Sequence, residues 1–404
     1  MEFGKCFLKR IARMNPLQKI ALLLIIGLLF YSSLIAINEL VISPDIREVP
    51  YNTDVDIYRN RTIAILHGEI PYKDFSMESP PIIDYMMVPA QLAGGANWQY
   101  ALYFSLFSIS TGIAIYAFLR RYDDSAAFTA GLAFILMPYA FVESTFGVQD
   151  EAISTFVFLL PLLIFVLGRF RMAALVNTIG FWTKFFNGVI YLVLLIKAPT
   201  RKDALKMFGI TALVTAAVAV PFLIIAPDKF LSFPSYYLLQ DKNAQTGGMS
   251  IWHFWDLGGF TLPGTIGVIM MLVAVLAASY YVYRKKDTTT FWEGCIIVLF
   301  AFFLFYPKIH LGYYLMLIAM LLMWGATNRK VMVRCLLAYV PLFLSVLLAE
   351  NMTGKASVSF PGSWFVGFLL VLGANIFLLD TFIKARRERV FFERTEPVSQ
   401  IIDK

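Results

Sequence analysis

The sequence predicts an all-α, polytopic integral membrane protein, and three observations carry that expectation. The 404-residue chain is 59% hydrophobic but only 15% charged, with a mean hydropathy of +0.70; a soluble chain carries about 25% charge. Apolar runs of about 20 residues recur along the whole length, among them Ile20–Ile37, Met207–Ala226 and Thr265–Tyr283. Each is long enough to cross a hydrocarbon layer of about 30 Å as a helix. The loops between the runs alternate between basic and acidic or neutral, as the positive-inside rule requires.

Taken in order, the elements follow from those three patterns. Lys5, Lys9, Arg10, Arg13 and Lys19 keep the N-terminus cytoplasmic. The first run is longer than a secretory h-region and has no small-residue cleavage site, so it reads as a retained span. Spans at about 98–119, 125–142 and 152–168 follow, turning at "RRYDD", "ESTFGVQDE" and "RFRM". The stretch 172–197 contains Lys184 amid apolar residues. As one crossing it would also put "KAPTRKDALK" outside, so it is expected to fold as a short hairpin with "TKFFN" at its outer tip. Later loops then alternate correctly, giving about 12 membrane crossings with both termini cytoplasmic.

No repeat, low-complexity tract or linker divides the chain, so residues 1–404 are expected to form a single transmembrane domain. Within it stand two long outer loops, 41–97 and a lid-like 227–260 hinged at "TGG", and a cytoplasmic tail, 384–404. "PPIIDYMMVPAQLAGG" is apolar but too short to span, which predicts an interfacial or re-entrant helix. Cys6, Cys295 and Cys335 have the spacing of neither a disulfide framework nor a metal site. The net charge of +7 is a cytoplasmic anchor, and a nucleic-acid partner is excluded on that ground.

The outer face is where chemistry concentrates. "TDVDIYRNRTIAILHGEIPYKDFSMESPPIIDY" holds six carboxylates, three Arg/Lys and a histidine, and all three histidines, His67, His253 and His310, fall on this side. So do Asp54, Asp56, Arg59, Glu78, Asp150, Glu151, Lys184 and Lys308. Taken singly, each acid has a plain reading as a solvated loop residue, and Asp150 and Glu151 as helix N-cap residues. Lys184 does not, because an ionisable group at membrane depth is costly. Together they supply what sugar transfer from a lipid phosphate needs: a positioned carboxylate to deprotonate a hydroxyl, and cations to stabilise a departing phosphate.

"DVDIYRNRTIAILHGEIPYKDFSMESPP" resembles the first outer loop of polyprenyl-phosphate-sugar-dependent glycosyltransferases of the GT-C fold, with bacterial and archaeal mannosyltransferases the nearest kin. The matching positions are Asp54, Tyr58, Gly68, Pro71, Tyr72 and Glu78 before Pro80-Pro81. "FGVQDEAIS", "GFWTKFFNGVIYLVLL", "SIWHFW" and "YPKIHLGYYLML" continue the likeness in order. "LLQDKNAQTGG", with Asp241, stands where the eukaryotic branch carries an Arg/His-rich pattern. The resemblance implies a lipid-linked donor such as a polyprenyl-phosphate mannose, a lipid-linked or glycan acceptor, and an inverting transfer on the non-cytoplasmic face. It implies Asp54 as catalytic base, with Asp56, Asp150, Glu151 and Glu78 supporting the acceptor or a divalent metal; Asp54 and Asp56 are the metal candidates. Lys184, Lys308, His310 and Arg59 would engage the donor phosphate. The rival class is a polytopic transporter or lipid flippase, which binds near the midplane through broken helices and often shows inverted repeats.

Overall fold

Local signals set the first helix. The Asn15 side chain accepts the Gln18 N–H at 2.9 Å, Gln18 accepts the Asn15 N–H in return, and Pro16 takes the first helical position, so α1 (Pro16–Ile37) starts at one defined place. The computed structural model describes residues 11, 13–42, 54–235, 246–260, 264–352 and 360–387. Cys6, Asp241 and most of the tail expected at 384–404 lie outside the described residues.

After α1 come two short helices, α2 (Asp54–Leu66) and α3 (Ile82–Leu92). The bundle continues with α4 (Asn97–Leu119), α5 (Asp124–Ile135), α6 (Pro138–Phe141), α7 (Glu151–Val166), α8 (Phe170–Thr183), α9 (Tyr191–Ile196) and α10 (Arg201–Ile225). Its second half holds α11 (Pro227–Pro234), α12 (Ile251–Leu257), α13 (Gly264–Arg284), α14 (Phe291–Phe305), α15 (Tyr314–Trp324), α16 (Arg329–Met352) and α17 (Ser363–Arg387). The described residues are thus almost wholly helical, and the chain is an integral membrane protein.

Six helices are long and apolar enough to cross a membrane, or seven if α5 and the segment Pro138–Gly147, bent by 44° at their junction, count as one span. The remaining expected crossings fall on Glu151–Val166, Phe170–Thr183, Phe185–Ile196, Phe291–Phe305 and Leu311–Trp324, each of 10–17 residues. Those segments are short of the roughly 20 residues a lone helix needs. Burial explains the difference. In α15 every residue from Tyr314 to Trp324 is buried, so it is wrapped by protein and need not match a lipid thickness. In α10 only 6% of the apolar stretch is buried, so its surface faces lipid.

Two packings position the loops at the α2–α3 end of the bundle. Tyr72 is fully buried with φ +66°, an uncommon backbone state for a side chain of that size. Its ring sits edge-on to Phe222 and Phe230 at 5.2 and 5.1 Å, and its hydroxyl donates to Ser79 O at 2.5 Å. The Pro71-Tyr72 turn therefore pins the segment between α2 and α3 to α10 and α11. Second, Gly247–Gly248 (β1) and Lys308–Ile309 (β2) pair as a two-residue parallel ladder, the one strand pair among the described residues. Gly248 has φ +61°, and a Cβ there would lie 2.0 Å from the Ile309 oxygen, so only glycine fits. The "TGG" segment read as a hinge is fastened in this structure. Ser250 Oγ donates to Pro307 O at 2.6 Å, and Trp252 Nε1 to Phe305 O at 2.7 Å. Cys295 and Cys335 are buried.

Candidate functional site

The site begins where a helix stops. α8 ends at Thr183, Lys184 adopts an extended backbone (φ −148°, ψ 122°), and the chain reverses through a 3-10 turn, Phe185–Ile190, into α9. Asn187 fastens the reversal: its Nδ2 donates to Gly180 O at 3.1 Å, while Asn177 Nδ2 donates to Asn187 O at 3.0 Å. This is the hairpin expected at 172–197, with Lys184 at its tip.

The Lys184 ammonium donates to Asp150 and, at 2.9 Å, to Glu151 Oε1. Both acid side chains are 6% exposed and that of the lysine 14%. Burial opposes the lysine's charge, but the two carboxylates outweigh it and hold its pKa above the ordinary value. One cation faces two carboxylates, and burial, opposed by the Lys184 charge and reinforced by that of Asp150, pushes the Glu151 pKa up. Asp150 does stand at the N-cap position of α7, yet its side chain makes no capping bond; it is turned to Lys184 instead.

The backbone before the triad is strained. A π-helical turn, Val142–Gly147, is followed by Val148 with φ +48° and ψ +54°, buried at 2% exposure. A β-branched residue in the left-handed region costs about 1–3 kcal/mol and persists only where the surroundings impose it, and π-turns are enriched at functional sites. Glu151 Oε2 is buried with no hydrogen-bond partner among the described residues. Gly312 gives the triad room, since a Cβ there would meet Glu151 Cγ at 2.5 Å.

Sequence-distant groups flank the triad on two sides. On one, the buried Tyr58 phenol lies 3.5 Å from Gln149 Oε1. Its pKa is pushed up by burial and then by the charges of Asp150, Asp54 and Glu151, which places the first carboxylate of α2 within electrostatic reach of the triad. On the other, the Tyr313 ring packs on Phe186 at 4.4 Å and on His310 at 5.3 Å. His310 is exposed at its surface, with protein packed around the ring. That crowding, then the charges of Lys308, Lys184 and His253, hold its pKa below the ordinary value, so it is a neutral imidazole near pH 7. Thus Asp54, Asp150, Glu151, Lys184, Lys308 and His310 share one locality.

Three expected residues are engaged elsewhere. Arg59 donates through Nε to Gly95 O at 2.9 Å, through Nη2 to Asn97 Oδ1 at 2.7 Å and through Nη1 to Asp56 at 2.8 Å; it ties α2 to the turn before α4. Glu78 accepts from Arg61 Nη2 at 3.0 Å and is largely exposed. Asp54 and Asp56, two positions apart on a helix, face nearly opposite directions. Among the described residues no three His, Cys, Asp or Glu side chains are grouped to hold a metal ion. The pair therefore does not fit a divalent metal site.

One residue escaped the sequence reading. Asp84, on α3, is 1% exposed, and neither carboxyl oxygen has a hydrogen-bond partner among the described residues. Arg61 Nη1 stands 3.9 Å away. Burial lifts its pKa to about 7, Arg61 pulling down and Asp150 and Glu78 pushing up. The sole sequence signal was an acid inside an otherwise apolar "PPIIDYMMVP".

The all-α bundle, with its short helices and broken hairpin, has the fold of a solved membrane protein, in keeping with the GT-C fold that the sequence led us to expect. The chain is similar to ArnT from Cupriavidus metallidurans, whose crystal structure holds undecaprenyl phosphate. The TM-score is 0.52 over 92% of this chain and 78% of that one, at 15% sequence identity, so the likeness is one of fold. No protein-family model and no curated protein matches the sequence.

Proposed function

We propose that the chain is a membrane glycosyltransferase. It moves a sugar, mannose in the first instance, from a polyprenyl-phosphate carrier onto a lipid-linked or glycan acceptor at the non-cytoplasmic face, with both termini cytoplasmic. The observation that carries the reading is the gathering of a base candidate, Asp54, with Lys184, Lys308 and His310 around the strained Asp150–Glu151 turn of a GT-C fold. The lipid phosphate in the fold neighbour supports a donor of that class.

The mechanism follows from what each group has to offer. An ammonium has three donors; Asp150 and Glu151 take two and orient the third toward a phosphate oxygen. Lys308 and the neutral His310 supply further donors. Asp54 removes the proton of the acceptor hydroxyl. That oxygen bonds to the anomeric carbon from the face opposite the phosphate, while the sugar–phosphate C–O bond breaks and its electron pair leaves on the phosphate. The configuration inverts. Holding both substrates in line replaces a bimolecular encounter by a positioned step, general-base help contributes about 10²–10⁴-fold, and fixed donors at the leaving oxygen stabilise the charge that develops there. Arg59 and Asp56 have no step in this scheme; they brace α2.

Purified protein incubated with radiolabelled polyprenyl-phosphate mannose and a panel of glycan and lipid acceptors is expected to transfer label and release polyprenyl phosphate. An intact donor across the panel, with counterflow of a labelled solute in proteoliposomes, would replace the enzyme with a transporter.

A further inference from the structure

The mechanism above leaves His253 unused, although the fold brings it to the site. Met249 N–H donates to Ile309 O at 2.7 Å and Ser250 Oγ to Pro307 O at 2.6 Å, so α12 starts against the strand that carries Lys308. Ser250 also caps α12, its hydroxyl accepting the His253 N–H at 3.0 Å. The His253 imidazole thereby comes within electrostatic reach of His310.

The two ring nitrogens stand in different situations. Nδ1 lies 3.4 Å from the Thr246 hydroxyl, which donates its hydrogen to Asp256 Oδ2 at 3.2 Å. A hydroxyl has one hydrogen to give. With that hydrogen on the carboxylate, the Thr246 oxygen can only accept, so the ring carries its own hydrogen on Nδ1. Burial, opposed by Asp256 and then by the Thr246 backbone, holds the His253 pKa below the ordinary value, and the ring is neutral near pH 7. Nε2 is therefore a bare acceptor. It has no hydrogen-bond partner among the described residues, and it is not sealed in the interior: the residue is half-buried and Nε2 keeps contact with solvent.

An ionised phosphodiester offers only acceptor oxygens, so it does not match a bare Nε2; the neighbouring lysines suit it instead. A hydroxyl does match. We propose that His253 Nε2 accepts a hydrogen bond from a sugar hydroxyl at the transfer site, with Thr246 and Asp256 as positioning residues, and so takes part in choosing the sugar. The inference rests on the glycosyltransferase reading above. The hydroxyl belongs either to the transferred sugar or to the acceptor. A group that pairs with a substrate hydroxyl rejects the analogue lacking it, because that group is then left unpaired.

The test measures kcat/KM for the full chain in detergent with polyprenyl-phosphate mannose, its singly deoxygenated analogues, and singly deoxygenated forms of the best acceptor. One analogue is expected to react at least about tenfold more slowly than its parent in the wild type, and no more slowly than its parent in His253→Leu. Where that analogue is a donor, the hydroxyl is the transferred sugar's; where it is an acceptor, the hydroxyl is the acceptor's. Thr246→Val is expected to shrink the same discrimination and Thr246→Ser to restore it, an effect that general damage to the fold does not produce. Discrimination unchanged in His253→Leu or in Thr246→Val overturns the proposal and leaves the enzyme standing. No transfer by the wild type from any donor overturns it together with the reading it rests on.

Discussion

Lys19 and Lys184 are both drawn into the interior of this protein, and they sit in opposite kinds of place. Lys19, 2% exposed near the start of α1, is paired with Asp124, which is 44% exposed and also accepts from Tyr116 at 2.9 Å. One positive charge meets one negative charge between regular helix ends, and Asp124 keeps access to water. Lys184 meets two carboxylates that are both nearly buried, at a break between helices, beside a left-handed valine and a π-turn. The first arrangement closes its own account of charge and donors. The second leaves two carboxylates on one ammonium, an unpartnered carboxylate oxygen and strained backbone, which is why the proposed function centres on it.

Removing each ammonium breaks or sharpens that contrast. Lys184→Met strands two buried carboxylates and is expected to destabilise by about 3–5 kcal/mol, with transfer reduced at least about 10³-fold, read by thermal unfolding and labelled-donor assay. Lys19→Met is expected to cost about 1–2 kcal/mol, because Asp124 can rehydrate, with specific activity within about twofold of wild type. Equal losses of activity in the two variants would dissolve the distinction.

Asp84 gives a pH-dependent version. Its carboxyl titrates near 7 in the folded protein against 3.8 for the ordinary group, so the folded state holds a proton that the unfolded state has released. Stability therefore falls as pH rises from about 4 through 7. Asp84→Asn cannot release that proton. It is expected to raise stability relative to wild type by about 1–3 kcal/mol at pH 8 and to change little at pH 4; unfolding midpoints at the two pH values check this. A smaller effect still is expected from Arg59→Gln. Losing its bonds to Gly95 and Asn97 costs about 1–2 kcal/mol, while the KM for the lipid donor stays within about twofold. A tenfold rise in KM would return Arg59 to the phosphate site.

Much of the fold was legible because hydrophobic runs and loop charge report on a membrane directly. The hairpin at 172–197 was readable from one residue, since Lys184 could not sit within a single crossing. The short buried helices were not separable from full spans, because α15 is as apolar as a lipid-facing helix and only its burial by neighbours explains its length. At the site, Lys184, Asp150 and Glu151 were each visible, but their mutual pairing depends on the strained turn at Val148, which no sequence pattern announces. Arg59 looked like a phosphate ligand because a sequence cannot show that its donors go to Gly95, Asn97 and Asp56. Asp84 was overlooked because a lone acid in an apolar stretch gives no sign of which way it points.

Single-turnover transfer by the Asp54→Asn variant, with donor binding measured in the same sample, tests the central claim most directly. The α2 carboxylate is exposed, so the substitution leaves the fold intact. The account predicts unchanged binding of labelled polyprenyl-phosphate sugar and a rate lower by about 10²–10⁴-fold. Transfer at the wild-type rate with donor fully bound would contradict it.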